Sequence, residues 1–141
     1  MKNLSKTMVL HPKKTKYKKI QKGNLSKLNF RSNKLKFGNI GLKATKSGTI
    51  SSRQIEAARQ AIVRKVNRKG KLWIRVFPTV PITTKPTEVR MGKGKGAFSH
   101  WSAKVNAGTI IFEIYGISQK IAITAFKTGG AKLPVKTMIL F

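Results

Sequence analysis

The chain has 141 residues, a length that suits one domain or at most two. It carries 31 lysines and arginines against three glutamates and no aspartate, which gives a formal net charge of +28 at pH 7. Because it has no cysteine and no apolar run near the roughly 20 residues that span a bilayer, the sequence excludes disulfides, thiolate metal sites and a transmembrane helix.

The excess of positive charge predicts a polyanionic partner. Three glutamates cannot neutralise 31 cations within the fold, so the free domain repels itself. A membrane surface or an acidic protein fits less well, because no long amphipathic basic helix dominates the sequence. We therefore expect a phosphate backbone as the partner and no membrane contact.

The first predicted element is a basic arm. Residues 1–50 contain 14 of the 31 cations and no acidic side chain. Within them, "HPKKTKYKKIQKG" (11–23) combines lysines with one aromatic residue and has neither helical nor strand periodicity. This pattern is typical of an extended, mobile arm that becomes ordered on a polyanion, and the alternative is a solvated tail with no specific partner. The arm residues predicted to bind are Lys13, Lys14, Lys16, Tyr17, Lys18, Lys19 and Lys22.

A single domain over residues 34–141 is predicted to follow the arm of residues 1–33. It begins with "KLKFGNIGLKA" (34–44), which has the character of a strand interrupted by glycines. Phe37 and Leu42 are the expected core anchors, and Gly38 and Gly41 indicate a bulge or a bend.

The clearest predicted element is an amphipathic helix in "ISSRQIEAARQAIVRKVNRKG" (50–70). Ser51 and Gln54 suit a capping box, Ile50 and Ile55 occupy the positions of a hydrophobic staple, and Gly70 is the expected terminator. The apolar stripe is predicted to consist of Ile55, Ala58, Ile62 and Val66. The cations off this stripe are candidate phosphate contacts: Arg53, Arg59, Arg64 and Arg68. For the helix alone, an ordinary solvated basic face explains them equally well.

Two segments with different predictions follow the helix. The segment "KLWIRVFP" (71–78) is rich in β-forming residues, and its dense apolar character predicts a strand covered on both faces. The segment "TVPITTKPTEV" (79–89) contains Pro81 and Pro86, so we expect it to be irregular.

The last part of the chain predicts a hairpin, a helix and a strand. Two strands around a turn at residues 106–108 are expected in "WSAKVNAGTIIFEIYG" (101–116). A shorter helix is expected from about Ser118 to Lys127, ended by Gly129 and Gly130, and "PVKTMILF" (134–141) is the final strand candidate. The core-facing residues expected on this helix are Ile121, Ala122, Ala125 and Phe126. This order of elements predicts an α+β fold, with a small mixed or antiparallel sheet packed against two helices.

A loop of glycines and lysines precedes the predicted hairpin, in "RMGKGKGAFSHW" (90–101). It matches neither the Walker pattern nor the dinucleotide-binding fingerprint. Its glycines allow the backbone to approach a crowded surface, and its lysines supply charge for phosphate. Phe98, His100 and Trp101 are candidates for stacking on a base or a ribose, although Trp101 suits anchoring of the next strand better. The loop residues predicted to bind are Arg90, Met91, Gly92, Lys93, Gly94, Lys95 and Gly96.

The sequence predicts no catalytic site. General acid–base chemistry needs two carboxylates, or a carboxylate and a histidine, brought together, but the three glutamates and two histidines are far apart in the sequence. Glu56 is expected in the first turn of the helix, where it favours the helix dipole, and Glu113 is expected to face solvent or a cation. We therefore expect no catalytic residue, no metal site, no cofactor and no small-molecule substrate.

Several segments, taken in order, resemble one known family. The chain contains "HPKKTKYKK", "FGNIGLKA", "SSRQIEAARQAI", "GKLWIRVFP", "PITTKPTEVRMGKGKG" and "AKLPVKT". Over about residues 8–138 it resembles the universal large-subunit ribosomal protein of the bacterial L-sixteen type. The resemblance implies a small α+β domain that binds large-subunit rRNA near the peptidyl-transferase centre beside neighbouring ribosomal proteins. It also implies that the arm runs into rRNA, that residues 90–96 point toward the acceptor end of tRNA, and that the role is structural rather than enzymatic.

Three segments depart from the pattern of that family. Residues 1–7 precede the usual start, which matches Met8, and residues 24–36 differ from the usual arginine- and glycine-rich stretch. The segment "TGGAKLP" (128–134) replaces an alanine-rich helix end, so we expect the second helix to be short or frayed. With the bias toward lysine and asparagine, these departures favour an organellar copy in the mitochondrial matrix, with a plastid or the bacterial cytoplasm as alternatives. The alternative function is a free-standing basic nucleic-acid-binding or RNA-chaperone protein.

Overall fold

The structure, a computed structural model, describes residues 10–141, so the part of the predicted arm in residues 1–9 lies outside the described residues. Two helices and two antiparallel sheets occur in residues 10–141, which confirms the predicted α+β class. The strands and helices in chain order are β1 Ile40–Ala44, β2 Gly48–Ser51, α1 Ser52–Lys65, β3 Lys71–Ile74, β4 Val80–Thr84, β5 Ala97–Val105, β6 Ile110–Tyr115, α2 Gln119–Gly130 and β7 Thr137–Leu140.

The strands are divided between two sheets. The main sheet has the order β3-β6-β1-β7, and the second sheet has the order β2-β5-β4. The core lies between the two helices and one face of the main sheet, where Leu42, Phe112 and Ile114 are buried together with Ile62 and Phe126. The opposite face of the main sheet, which we call the outer face, is therefore turned away from the helices.

Helix α1 begins as its sequence predicts. The hydroxyl of Ser51 accepts from the backbone N–H of Gln54, and the side-chain oxygen of Gln54 accepts from the backbone N–H of Ser51 at 2.9 Å, so the capping box is confirmed. The predicted apolar stripe is buried in full: Ile55, Ala58, Ile62 and Val66. These buried side chains supply most of the stability of a helix this short, because isolated helices of this length are marginal in water.

The end of α1 differs from the prediction. The helix ends at Lys65 rather than near Gly70, because Asn67 and Arg68 have positive φ angles of 53° and 60°. Left-handed backbone at two successive residues cannot continue a right-handed helix. Glu56 lies beyond the first turn, so the predicted dipole role is wrong, and its carboxylate pairs with Arg59 instead.

Helix α2 is longer than its sequence suggests. It continues through Gly129 and Gly130, so the prediction that these glycines end it, and that its end is short or frayed, is wrong. A Cβ at Gly129 would lie 2.5 Å from Cγ1 of Ile62, so this glycine lets α2 approach α1 closely. Ala122, Ala125 and Phe126 are buried as expected, whereas Ile121 is 47% exposed.

Both strands of the predicted hairpin form, but they do not pair with each other. The turn at residues 106–108 forms, with the backbone N–H of Thr109 donating to the oxygen of Asn106 at 3.1 Å. However, β5 pairs with β2 and β4 in the second sheet, while β6 pairs with β1 and β3 in the main sheet. The turn therefore carries the chain from one sheet to the other.

The predictions for residues 71–89 are confirmed in part, since residues 71–74 form a strand and residues 85–89 are irregular. Strand β3 is the edge of the main sheet and its apolar residues are only half-buried, so it is not covered on both faces. Residues 80–84 form β4 despite Pro81. Strand β4 is the edge of the second sheet, where a proline need not donate a ladder hydrogen bond.

Only the second half of the first predicted strand is a strand. Strand β1 begins at Ile40, and its pairing with β6 shifts register between Leu42 and Lys43, which confirms the expected irregularity. Leu42 is buried, but Phe37 is 49% exposed and is not a core anchor. The reason lies at Gly38, where a Cβ would be 2.5 Å from the carbonyl oxygen of Ile114. The chain crosses the main sheet too closely there for Phe37 to point into the core.

Candidate nucleic-acid interface

The positive charge of this protein has few carboxylates near it. Two ion pairs occur within residues 10–141, one between Arg59 and Glu56 and one between Arg75 and Glu113. None of the lysines in residues 11–23 or 90–96 takes part in them. The charge of these two segments is therefore available to an external anion.

The arm of residues 11–23 has neither helix nor strand, and its backbone bends at residues 11, 13, 16 and 18. Tyr17 is 67% exposed, and Nζ of Lys16 lies 5.6 Å from the centroid of its ring. All of the predicted arm residues are exposed: Lys13, Lys14, Lys16, Tyr17, Lys18, Lys19 and Lys22. Farther along, Asn29 fastens the chain to the domain, since its backbone N–H donates to the oxygen of Ala107 at 2.9 Å.

Lysine side chains join the arm to the loop and to β5. Nζ of Lys19 donates to the backbone oxygen of Lys95 at 3.1 Å, and Nζ of Lys95 donates to the backbone oxygen of Ile20. Nζ of Lys104 in β5 donates to the backbone oxygen of Lys22. These hydrogen bonds bring two segments that the sequence predicts separately into one surface. We call it the arm–loop surface, defined as residues 11–23, residues 90–96 and Lys104.

The loop of residues 90–96 connects β4 to β5 through left-handed backbone. The φ angle is 100° at Gly92, 50° at Lys93 and 82° at Gly94. A Cβ at Gly92 or Gly94 would meet nothing within 4 Å, so these glycines serve the backbone angle and not close packing, while the carbonyl oxygen of Gly92 accepts from Nζ of Lys85. At Gly96, in contrast, a Cβ would overlap the backbone of Thr84. The remaining predicted loop residues, Arg90, Met91, Lys93 and Lys95, are exposed.

The arginines predicted around α1 belong to the helix and to the residues just beyond its end. Arg53 and Arg64 are exposed on the helix, whereas Arg68 is exposed beyond its end. Arg59 donates two hydrogen bonds to Glu56, at 2.8 and 2.7 Å, and this interaction raises the pKa of its guanidinium despite partial burial. Arg59 is therefore less available to phosphate than the other three. Within the described part of the chain, no hydrogen bond or ion pair joins these arginines to the arm or the loop.

The aromatic residues after the loop pack against each other. The ring centroids of Phe98 and Trp101 are 5.1 Å apart, with planes tilted by 51°. Trp101 is half-buried in β5 opposite Pro81 of β4, which agrees with an anchoring role. Phe98 is 37% exposed and keeps part of its ring open to solvent.

Sequence reasoning missed a second group of side chains, around β3. Lys71, Trp73 and Arg75 recur at a two-residue spacing, which places them on one side of an extended chain. Glu113 is the one acidic residue of β6 and pairs in register with Trp73. The two-residue spacing and the lone glutamate are both visible in the sequence. They were overlooked because a strand predicted to be covered on both faces has no exposed side on which to place them.

Glu113 is the electrostatic centre of that second group. Its side chain is fully buried, and it accepts backbone N–H groups from Phe37 at 2.6 Å, Gly38 at 2.9 Å and Lys36 at 3.2 Å, as well as Nη1 of Arg75. Burial alone raises the pKa of this carboxyl, but the hydrogen bonds and the charge of Arg75 outweigh burial, so the pKa lies below its ordinary value. Glu113 thus faces a cation, as predicted, and not solvent.

The described part of the chain shows neither a group of metal-ligating side chains nor a helix suited to crossing a bilayer. No three histidine, aspartate, glutamate or cysteine side chains within residues 10–141 are grouped so that they could hold a metal ion. Neither α1 nor α2, the helices of this part, has the length and apolarity that a bilayer crossing requires. The arm–loop surface and the group around β3 are therefore the features that a functional account must explain.

Comparisons with known proteins agree on one family. Residues 12–140 match the family described as "Ribosomal protein L16p/L10e". The chain is 55% identical over 129 residues to the "Large ribosomal subunit protein uL16" of Halorhodospira halophila, across 92% of this chain and 94% of that protein. It is 54% identical over 129 residues to the protein of the same name from Dichelobacter nodosus. It is 53% identical over 132 residues to that of Cereibacter sphaeroides, across 94% of this chain and 96% of the relative.

Proposed function

Since the chain belongs to the ribosomal protein L16p/L10e family, we propose that it is a structural constituent of the large ribosomal subunit. Its proposed partners are large-subunit rRNA, the acceptor end of tRNA and neighbouring ribosomal proteins. Its proposed mechanism is charge neutralisation combined with rigid bridging of RNA segments, so the protein supports assembly and tRNA positioning and performs no chemical step.

The arm–loop surface is the observation that carries this proposal. It gathers ten lysines and arginines, and none of them takes part in the ion pairs found within residues 10–141. The lysines that join its parts donate to backbone carbonyls, which carry no net charge to offset theirs. A phosphate backbone supplies the missing negative charge at high density. Phosphate contacts would fix the position of the protein, and RNA shape would provide selectivity.

The loop of residues 90–96 is the proposed side facing tRNA. A side chain at Gly92 or Gly94 would have free space around it, and Met91 is 94% exposed. A loop of this kind can enter a narrow space between RNA strands, because glycine takes up little room and lysine tolerates nearby phosphates. The arm, which is the other part of the arm–loop surface, would then run along rRNA.

The exposed arginines near α1 are a proposed second contact with rRNA. Arg53, Arg64 and Arg68 are exposed, and within residues 10–141 no hydrogen bond or ion pair ties them to the arm–loop surface, so they would be free to bind another RNA segment. Two basic surfaces on one domain would allow the protein to bridge two RNA segments. Arg59 would contribute less, because Glu56 already occupies its guanidinium.

Salt dependence tests the proposed mechanism. The full chain is titrated with a large-subunit rRNA fragment at several salt concentrations, and the affinity is read from filter binding or anisotropy. If about ten phosphates are contacted, the logarithm of the affinity falls with the logarithm of salt concentration with a slope near −7 to −9. An affinity that is nearly independent of salt would overturn the proposed mechanism. Recovery of a tagged chain in soluble pools, and not in sedimenting large subunits, would favour a free-standing RNA chaperone.

We also propose a mitochondrial location. The support is compositional, since the chain has 24 lysines against 7 arginines, a bias typical of proteins from AT-rich genomes such as those of organelles. Fractionation of the source cells, followed by immunodetection of the chain in mitochondrial, plastid and cytosolic ribosomes, tests it. Detection in cytosolic or plastid ribosomes alone would overturn the mitochondrial location without affecting the proposed ribosomal role.

A further inference from the structure

The outer face of the main sheet carries aromatic and cationic side chains at its β3 edge. Lys71 is paired with Tyr115, and Trp73 with Glu113, across β3 and β6. Residues directly opposite in a sheet project from the same face, whereas Leu72 and Ile114 project toward the helices and pack against the core. The outer face at this edge therefore holds side chains that the core does not use.

Phe37 lies against Trp73 on this face. Their ring centroids are 5.9 Å apart, and their planes are inclined by only 21°, so the rings are stacked. Phe37 is 49% exposed and Trp73 is half-buried. We call this pair the Phe37–Trp73 platform. Tyr115, 54% exposed, extends the aromatic surface on the same face.

Three cations surround the platform. Nζ of Lys71 lies over the ring of Trp73, 5.2 Å from its centroid, while Nζ of Lys36 and the guanidinium carbon of Arg75 lie over the ring of Phe37, 5.7 and 5.3 Å from its centroid. A separate groove of about 800 Å³ lies between α1 and β3, on the helix side of the sheet, where Val63 and Val66 give it a mainly apolar lining and Arg68 and Lys69 border it. The only carboxylate of this cluster within residues 10–141, Glu113, is buried and occupied by Arg75.

The platform is held in place before any partner arrives. The carboxylate of Glu113 accepts the backbone N–H groups of residues 36–38, which fixes the turn that carries Phe37. The same carboxylate holds Arg75, which follows β3 and lies over the ring of Phe37. The backbone around Phe37 and the side chain of Arg75 are therefore already ordered. Stacking of a partner on Phe37 costs less conformational entropy than it would on a flexible segment.

We propose that the Phe37–Trp73 platform is a stacking site for an unpaired nucleobase of RNA. Exposed rings on a sheet face give a base a flat apolar surface, and the surrounding ammonium and guanidinium groups give the flanking phosphates their counter-charge. Charge complementarity favours RNA over an apolar protein segment at this edge, because a protein strand would leave Lys36 and Lys71 without a partner. The inference rests on the proposed RNA-binding function and extends it to a surface separate from the arm and the loop.

Tryptophan fluorescence gives a direct test. The chain has two tryptophans, so Trp101→Phe in the full chain leaves Trp73 as the sole tryptophan. Dodecauridylate is expected to quench Trp73 emission with the same midpoint as its binding measured by anisotropy. A dodecamer of equal charge built from base-free ribose units is expected to bind without quenching. Trp73 emission that stays constant while dodecauridylate binds would overturn the platform and leave the proposed ribosomal function standing.

A substitution on the platform gives a second test. Phe37→Leu removes the exposed ring, and its affinity for dodecauridylate is expected to fall roughly 5- to 150-fold with an unchanged salt slope. Its affinity for the base-free dodecamer should not change. The matched control is Phe141→Leu, a residue that is 61% exposed beyond the opposite edge strand, β7. Equal affinities of the two variants for dodecauridylate would overturn the platform. A wild-type chain that binds neither dodecauridylate nor large-subunit rRNA would overturn the proposed function as well.

Discussion

Arg75 of the β3 segment and Glu113 of β6 form an ion pair in which the carboxylate is fully buried and the guanidinium side chain is 15% exposed. The same carboxylate accepts backbone N–H groups from residues 36–38. One acidic side chain thus ties together an edge strand, its neighbour and the segment that crosses them. Because a buried carboxylate without partners is very costly, these three parts depend on one another.

Replacing Glu113 by glutamine should weaken the fold strongly. The amide keeps the shape but loses the charge, so Arg75 loses its partner and at least one backbone N–H faces an amide N–H₂ group. We expect the free energy of unfolding to fall by about 3 kcal/mol, measured by urea denaturation followed by circular dichroism at pH 7.

The control for this change is Glu56→Gln. The pair between Glu56 and Arg59 joins neighbouring turns of one helix and is partly exposed. Its loss should cost about 1 kcal/mol or less. Equal losses for the two variants would show that burial of Glu113 has no special importance.

The lowered pKa of Glu113 predicts acid sensitivity. Because the folded-state pKa lies below the unfolded value near 4.5, the unfolded state binds more protons between the two values, and stability rises with pH there. The contribution of Glu113 is complete above the unfolded value and is lost as the pH falls through the folded one. The stability difference between wild type and Glu113→Gln, measured by urea denaturation, should therefore shrink below about pH 4.5. A difference that grows with acidification would contradict this sign.

Gly129 predicts a reversal of ordinary helix propensity. Alanine normally stabilises a helix interior by roughly 1 kcal/mol over glycine, but a Cβ at residue 129 would lie 2.5 Å from Cγ1 of Ile62. We expect Gly129→Ala to lower the free energy of unfolding by about 1–3 kcal/mol, since α1 and α2 must move apart. Thr128→Ala, exposed on the same helix, should change it by less than about 0.5 kcal/mol. A Gly129→Ala variant that is more stable than wild type would show that the two helices are not in close contact.

Local sequence patterns correctly predicted the elements whose structure depends mainly on residues close together in the chain. The capping box of Ser51 and Gln54 and the buried stripe of α1 follow from spacing alone, and the structure confirms both. The family predicted from the quoted segments is also confirmed. That prediction was possible because several long segments that occur in the same order are specific to one family. The α+β class followed from the order of elements, although β2 was missed.

The errors arose where distant segments meet. The exposure of Phe37 depends on how closely Gly38 approaches Ile114, and the helical state of Gly129 depends on Ile62. The strands β5 and β6 fit a hairpin by sequence, but each has better partners in a different sheet. The joining of the arm to the loop likewise depends on Lys19 and Lys95, which are 76 residues apart, so no local pattern could reveal it.

The last prediction separates binding from folding in the loop of residues 90–96. Lys93→Glu with Lys95→Glu should leave the free energy of unfolding within about 1 kcal/mol of wild type, because both side chains are exposed. The rRNA salt slope should become shallower by roughly 1.4–1.8 if each lysine contacts one phosphate. The control is Lys120→Glu with Lys132→Glu, which changes the net charge equally at exposed sites outside the arm–loop surface and should leave the slope nearly unchanged. Ile62→Asp should do the reverse, destabilising the buried core by more than about 3 kcal/mol.

The same loop variant should also impair translation in cells that depend on it. We expect a defect in tRNA accommodation or in large-subunit maturation, measured by translation rate and by sucrose-gradient profiles of the ribosomal subunits. Normal translation by that variant would contradict a tRNA-facing position for this loop, and an equal slope change in both double variants would show that only net charge matters.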